Sequence, residues 1–540
     1  MKYSIYILMN SFKPLYGLAL SLILFSCNSE VEKVAPEKPN FLFIVVDDLG
    51  YSDLSVNGSK YYETPNIDDL ANKGVNFVNG YATSAVCSPS RASLLTGKFT
   101  ATHQVTDWIG APVGEEWRKY GRFTKLLPPD YPHYLKDEYV TIPEALKTVG
   151  YKTFFAGKWH LGGEEQSSLP TNHGFDINKG GFHAGGPYTG GYFSPFNNPY
   201  LEDLPEEKGM TLSMKLAKET SQFIAENKES QFLAYLAFYA VHAPIQTSEE
   251  KWSKYRDKAE AMGIEEEGFE MERLFPIRKK QDNPVYAGLI EQVDEAVGSV
   301  LQTLREQGLD QNTIVIFTSD NGGVASGDNY STNSLGLRGG KGYQWEGGTK
   351  VPYFVYIPWM GEKGQIIQTP VTGADFFPTI LEYAGVQMDE NEIDGKSLVP
   401  LLNGEEMDSR PLYWHYPHYG NQGGEPNSTI QRDGMKLIHY WEDDRVELYD
   451  LRKDVGETND LSVEFSQVAE QLDNELLQWL KSENAFYPVK DPTFSQDSLG
   501  MKLKSYREVL KPRLEKARKE MLDKNWKPNE DWWGSKVEKQ

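Results

Sequence analysis

Two short stretches restrict what this chain can fold into more than any others do. Residues 41–46 (FLFIVV) are an unbroken apolar run ending in Asp47 and Asp48; residues 313–318 (TIVIFT) are a β-branched and aromatic run leading into Ser319, Asp320, Asn321, Gly322 and Gly323. Apolar runs without polar alternation predict strands covered on both faces, here with carboxylates delivered at their carboxyl ends. Ahead of the second run, Leu289, Val293, Val297, Val300 and Leu304 recur at helical spacing. Thr141 and Glu144 have capping-box spacing for a helix to Val149, residues 151–160 (YKTFFAGKWH) read as a strand, and 232–240 (FLAYLAFYA) read as another. Helix alternating with buried strand is the rhythm of an α/β fold, in which ligands bind beyond the carboxyl ends of the strands. Residues 40–400 are assigned to this main domain. Beyond it, 435–441 and 446–451 predict a hairpin, and 463–481 and 501–523 predict amphipathic helices. Residues 401–540 are therefore expected to form a smaller C-terminal subdomain of antiparallel strands and helix. Residues 111–140 and 249–282 fit neither rhythm and read as surface excursions, either inert or near the mouth of a site.

The composition narrows the partners. With 55 Lys and Arg against 78 Asp and Glu, the 540-residue chain carries a net charge of −23, so a nucleic acid would be repelled over most of its surface. An anionic ligand would need a local cluster of positive charge. Residues 1–27 have the layout of an export signal: Lys2 and Lys13, an apolar core at 15–25, then Ser26 and Cys27. The stretch resembles a bacterial lipoprotein signal, which implies a lipid anchor on Cys27, a polar tether at 28–39 and a membrane-attached protein in the periplasm or at the cell surface. Only two cysteines are present, so Cys87 has no partner for an internal disulfide. A lone thiol in an exported protein is either inert in a core or kept for its chemistry.

Cys87 opens a predicted helix in which Pro89 suits the first turn and Gly97 the end. Arg91, four residues on, lies on the same face and can point back at position 87. Asp47, Asp48, Asp320 and Asn321 offer oxygen and no imidazole or thiolate, so the cation they would gather is a hard one, calcium rather than zinc. Lys158 and His160 are two apart in the predicted strand and face one way, where they could hold an anion and move a proton. His242 follows the apolar run at 232–240, and Lys341 lies in the glycine-rich LRGGKGYQWEGG, where the backbone can approach a ligand closely. Aromatic stretches at 188–192 and 414–419 could stack on sugar rings or fill a core.

The run Cys87-Ser88-Pro89-Ser90-Arg91, continued by Ala92 to Lys98, closely resembles the signature of type I sulfatases, in the alkaline phosphatase superfamily. Asp47-Asp48-Leu49-Gly50, Gly157 to Gly162, His242-Ala243-Pro244, Ser319 to Gly322, and Gly340-Lys341-Gly342 with Glu346-Gly347-Gly348 follow in the family's order. The resemblance implies a central mixed, mostly parallel sheet flanked by helices, calcium dependence and sulfate-ester hydrolysis. It also implies that a maturation enzyme oxidises Cys87 to formylglycine (3-oxoalanine), whose hydrate attacks sulfur and shares the metal site with Asp47, Asp48, Asp320 and Asn321. On that pattern Lys158, Lys341 and Arg91 neutralise the sulfate, His242 protonates the leaving oxygen, and His160 removes a proton as the aldehyde reforms. His103 and Trp108, just after the signature helix, are candidates for contacts to the substrate, expected to be a sulfated carbohydrate. Two other readings compete: a phosphomonoesterase or phosphodiesterase on the same fold, and a glycan-binding surface lipoprotein without catalysis.

Overall fold

The structure, a computed structural model, describes residues 36–264, 266–361 and 364–527. Cys27, the export signal and most of the expected tether lie outside the described residues. Among the described residues no helix is long and apolar enough to cross a membrane.

Eight strands make the central sheet: β1 (Asn40–Val46), β2 (Val75–Phe77), β3 (Lys152–Gly157), β4 (Ile177–Lys179), β5 (Phe232–Phe238), β6 (Thr313–Ser319), β7 (Tyr353–Tyr356) and β8 (Gln365–Ile367). Their order is β8-β2-β7-β6-β1-β5-β3-β4. From β6 to β4 every neighbouring pair is parallel, and β8 is parallel to β2. Only β7 runs against its neighbours, which makes the sheet mixed but mostly parallel.

The reason β1 lacks alternation is visible in its two faces. Leu42, Ile44 and Val46 belong to one apolar cluster, with the helices Leu212–Glu226 and Pro284–Glu306, while Phe41, Phe43 and Val45 belong to a second, with Ile142, Leu146, Phe376 and Leu381. Both faces are covered, so every position of β1 is buried. The predicted capping box forms: Thr141 and Glu144 cap the helix Ile142–Lys147. Strand register places the acids. In the parallel β1–β6 pair Val46 is opposite Ser319, so Asp47 and Asp320 leave the sheet side by side.

Four antiparallel strands, Leu412–Tyr416, Asn427–Arg432, Met435–Tyr440 and Val446–Asp450, form a second sheet in chain order. The helix Ser466–Ser482 packs on it through Leu472, Leu476 and Leu480.

Two expectations change. Residues 249–282 are no loop: they form the helix Glu249–Met262 and a hairpin of Phe269–Glu272 with Phe275–Arg278. Trp252, Tyr255 and Ala259 of that helix join the main core, a stripe masked in the sequence by the charges around it. Strand β3 ends at Gly157, whose φ of 106° breaks the extended run, so Lys158 and His160 lie in the turn beyond it rather than in the strand. Leu236, fully buried in β5 between β1 and β3, should be among the residues least tolerant of truncation. Leu236→Ala is expected to cost about 2–5 kcal/mol and to lower the thermal midpoint, read by calorimetry.

Candidate active site

Past the ends of β1 and β6 the chain gathers three carboxylates. Asp47, Asp48 and Asp320 each place an oxygen within 4.8 Å of the others, and all three are fully buried. Asp48 takes a left-handed φ of 60°, which turns its side chain into the cluster while its amide donates to Asp320 Oδ1 at 3.1 Å. Asn321 donates from Nδ2 to Asp48 Oδ1 at 2.8 Å. The turn that carries Asp320 and Asn321 is pressed against another backbone: a Cβ on Gly322 would sit 1.9 Å from the Gly347 carbonyl oxygen. Glycine is required there for close approach, and the Lys341 amide then bonds the Gly323 carbonyl at 2.9 Å.

Cations close around the acids. Lys158 Nζ lies 2.6 Å from Asp47 Oδ2, Lys341 Nζ 2.8 Å from Asp48 Oδ2, and Arg91 Nε 2.7 Å from Asp320 Oδ2. Arg91 also donates from Nη1 to the Lys158 carbonyl at 2.7 Å and sits 3.7 Å from Asp47 Oδ1. It therefore ties the helix Cys87–Thr96 to the acidic cluster rather than pointing only at position 87. Burial raises the Asp47 carboxyl well above the usual range; Lys158 is the largest influence against it, with Arg91 helping, while Asp320 and Asp48 push the same way as burial. For Asp48 burial acts the same way, but Lys341, His242 and Lys158 outweigh it and hold the carboxyl low. Two buried oxygens, Asp47 Oδ1 and Asn321 Oδ1, have no hydrogen-bond partner. Repelling carboxylates with orphaned oxygens, and no imidazole in the group, suit a hard divalent cation.

Cys87 is buried at the head of its helix, with Sγ 3.5 Å from His160 Nδ1. Burial raises its thiol pKa despite Lys158 and Lys341. His160 Nε2 lies 3.0 Å from the Ile109 carbonyl oxygen, which can only accept, so Nε2 carries the proton and the bare Nδ1 faces position 87. Burial and then Lys158 hold this imidazole neutral. His242 is fixed the opposite way: Nδ1 donates to the Ala243 carbonyl at 2.7 Å, leaving Nε2 3.8 Å from Asp48 Oδ2. Burial, followed by Lys341, lowers its pKa to about 3.

Asp47, Asp48, Cys87, Arg91, Lys158, His160, His242, Asp320, Asn321 and Lys341 enter this cluster; His103 does not. That ring is fully buried behind the signature helix, with Nε2 3.0 Å from Ser93 Oγ and Nδ1 accepting from the Val105 amide at 3.1 Å. Both nitrogens are used internally, so His103 is a packing residue and not a substrate contact. Of the aromatic stretches, Tyr192 and Trp414 are core: the Tyr192 hydroxyl bonds the carbonyls of Tyr239 and His242, and the Trp414 indole donates to the Ala82 carbonyl. Tyr188 is different, 61% exposed with its ring 6.0 Å from that of His242.

Sequence reading missed two supports. Ser88 Oγ donates to the His160 carbonyl at 2.9 Å and accepts from the Ile109 amide at 3.0 Å, stitching the helix start to both walls of His160; its place beside Cys87 was the one signal. Asp53 takes bonds from the Gly50 amide at 2.9 Å and the Tyr286 hydroxyl at 2.8 Å, bracing the turn after Asp48. Only its spacing from Gly50 hinted at this.

A family model described as Sulfatase matches residues 39–386, and one described as N-sulphoglucosamine sulphohydrolase, C-terminal, matches 340–482. The chain belongs to the sulfatase family. A protein of Formosa agariphila named Sulfatase is 32% identical to it over 546 residues, covering 87% of this chain and 93% of the relative. Arylsulfatase J of Mus musculus is 27% identical over 518 residues, covering 86% and 79%. Among solved structures, that of Ps i-CgsB in complex with k-i-k-neocarrahexaose superposes with a TM-score of 0.66 at 26% identity, covering 89% of this chain and all of that one. The sulfatase is thus a sulfuric ester hydrolase.

Burial raises the Asp53 carboxyl to about 7, above the roughly 3.9 of an unfolded chain. Below pH 4 the group is protonated whether folded or not; as pH rises from 4 to 7 only the unfolded chain ionises, and the sulfatase loses stability. Asp53→Asn should remove this slope, about 1.4 kcal/mol per pH unit, in urea titrations at pH 5, 6 and 7. Parallel pH profiles for parent and variant would contradict it.

Proposed function

We propose that the protein removes sulfate from a sulfated carbohydrate, with formylglycine made from Cys87 as the reacting group and calcium held by Asp47, Asp48, Asp320 and Asn321. One observation carries the reading: Cys87, two imidazoles and three cationic side chains converge on a buried carboxylate cluster with orphaned oxygens. A calcium ion there supplies positive charge against the sulfate oxygens. The formylglycine hydrate supplies two hydroxyls on one carbon, so that sulfate can leave without water attacking sulfur.

The chain's own residues do the rest. Lys158 and Lys341, beside the carboxylates that would hold the cation, would face the sulfate, whose charge persists through the transfer and needs fixed positive partners. His160, neutral with Nδ1 toward position 87, is set to take a proton there. His242 must give a proton to the leaving alcohol, yet burial and Lys341 keep it neutral in the ligand-free site. The arriving anion opposes Lys341 and raises the imidazole, so His242 charges at Nε2 when substrate binds. Ligand chemistry in Ps i-CgsB and the open face of Tyr188 beside His242 support a carbohydrate leaving group. The oxygen-only cluster favours this reading over a two-zinc phosphatase, and the complete set of proton-transfer and anion-binding groups favours it over a silent binding protein.

Three outcomes are expected. Peptide mass spectrometry of protein from a host able to mature it should find the residue 87 fragment lighter by about 18 Da, the change from thiol to aldehyde. Cys87→Ser and Cys87→Ala should release sulfate from sulfated oligosaccharides at below about a thousandth of the parent rate, and Lys341→Ala should lower kcat/KM about a hundred-fold. Chelation should lower the thermal midpoint and calcium, not zinc, should restore it. Full activity in Cys87→Ala, or a midpoint indifferent to calcium, contradicts the proposal.

A further inference from the structure

A cleft outside the catalytic cluster has no part in the chemistry above. Residues 129–132 face residues 486 and 487 across a cavity of about 530 Å³ lined by Pro129, Asp130, Tyr131, Pro132, Phe486 and Tyr487. Its walls come from chain segments more than 350 positions apart, and they are joined firmly. Leu126–Leu127 pairs antiparallel with Val489–Lys490, the Asp491 amide bonds the Lys125 carbonyl at 2.9 Å, and Arg118 holds the Asp491 carboxylate with two bonds of 3.0 and 2.7 Å. The aromatic lining is fixed as well. Tyr131 donates its hydroxyl to the Trp108 carbonyl at 2.5 Å, and the Tyr487 ring rests 4.8 Å from that of Trp441 while staying 39% exposed.

The cleft lies behind one wall of the reaction centre. Trp108, which takes the Tyr131 bond, is followed by Ile109, whose carbonyl orients His160 and whose amide bonds Ser88. One backbone segment therefore separates the aromatic walls from the residues around position 87. A pyranose ring has an apolar C–H face and a rim of hydroxyls. The exposed Tyr487 ring and the half-buried Phe486 suit the first, and the Asp130 carboxylate, 83% exposed, with the His133 ring tilted 4.4 Å from the buried Tyr131, suits the second. The same carboxylate, without a lysine or arginine in the lining, repels a sulfated or uronic unit.

Resting on the carbohydrate reading above, we infer that this cleft binds an uncharged sugar ring of the substrate chain, apart from the sulfated unit at residue 87. The enzyme then prefers an oligosaccharide carrying unsulfated units to a lone sulfated sugar.

The test separates binding from turnover. Uncharged galactan, mannan, xylan and glucan hexasaccharides are titrated by calorimetry into the full-length Cys87→Ala protein, alone and with Tyr487→Ala or Tyr487→Phe added. At least one hexasaccharide should bind, Tyr487→Ala should weaken it by roughly five-fold or more, and Tyr487→Phe, which keeps the ring, should retain it. Thermal midpoints within a degree or so of one another exclude unfolding as the cause. Absence of binding by all four sugars, or binding indifferent to Tyr487→Ala, overturns the inference. Sulfate release from an aryl sulfate by the parent is measured in parallel: its failure counts against the chemistry assigned to residue 87 and leaves the binding result to stand by itself.

Discussion

Three carboxylates buried within reach of one another are a standing electrostatic problem, and much of the fold is arranged around it. The parallel pairing of β1 with β6 brings Asp47 beside Asp320 because Val46 is opposite Ser319. Nothing local holds them together. Lys158, Lys341 and Arg91 arrive from three separate segments to offset the repulsion, and each then ties its own segment to the sheet ends. A buried charge network of this kind is a poor source of net stability, since desolvation consumes most of the attraction. Its value lies in fixing positions: the same ion pairs that quiet the carboxylates hold two lysines near residue 87.

On the proposed reading that arrangement would couple a cation to an anion: with Asp47 and Asp48 engaged as metal ligands, Lys158 and Lys341 would be left to meet sulfate, and by linkage each ligand would strengthen the hold on the other. The opposed tautomers of the two histidines fit the same scheme. Ile109 fixes His160 with its bare nitrogen toward Cys87, while Ala243 fixes His242 with its bare nitrogen toward Asp48. Backbone carbonyls, not side chains, assign the two roles.

The parts of this that could be read in the sequence are those governed by strong local rules. Unbroken apolar runs identified β1, β5 and β6, and acids at their ends identified the cluster, because a strand buried on both faces has no other place for a carboxylate. The helix Glu249–Met262 escaped notice because its three core contacts lie among charges, and the stripe is legible only once Pro284–Glu306 is known to lie beside it. His103 was misplaced for a related reason: proximity in sequence to the signature helix says nothing about which side of that helix a ring will occupy. Ser88 and Asp53 act through backbone amides and carbonyls, partners that sequence cannot name.

The burial of Cys87 bears on the order of events in the life of the chain. Its side chain is 2% exposed, sealed by the His160 ring on one side and its own helix on the other. On the reading that this thiol becomes an aldehyde, no second protein can grip the surrounding residues once β1, β6 and the signature helix have closed. Oxidation then belongs to the nascent or unfolded polypeptide, and precedes the closing of the fold around it.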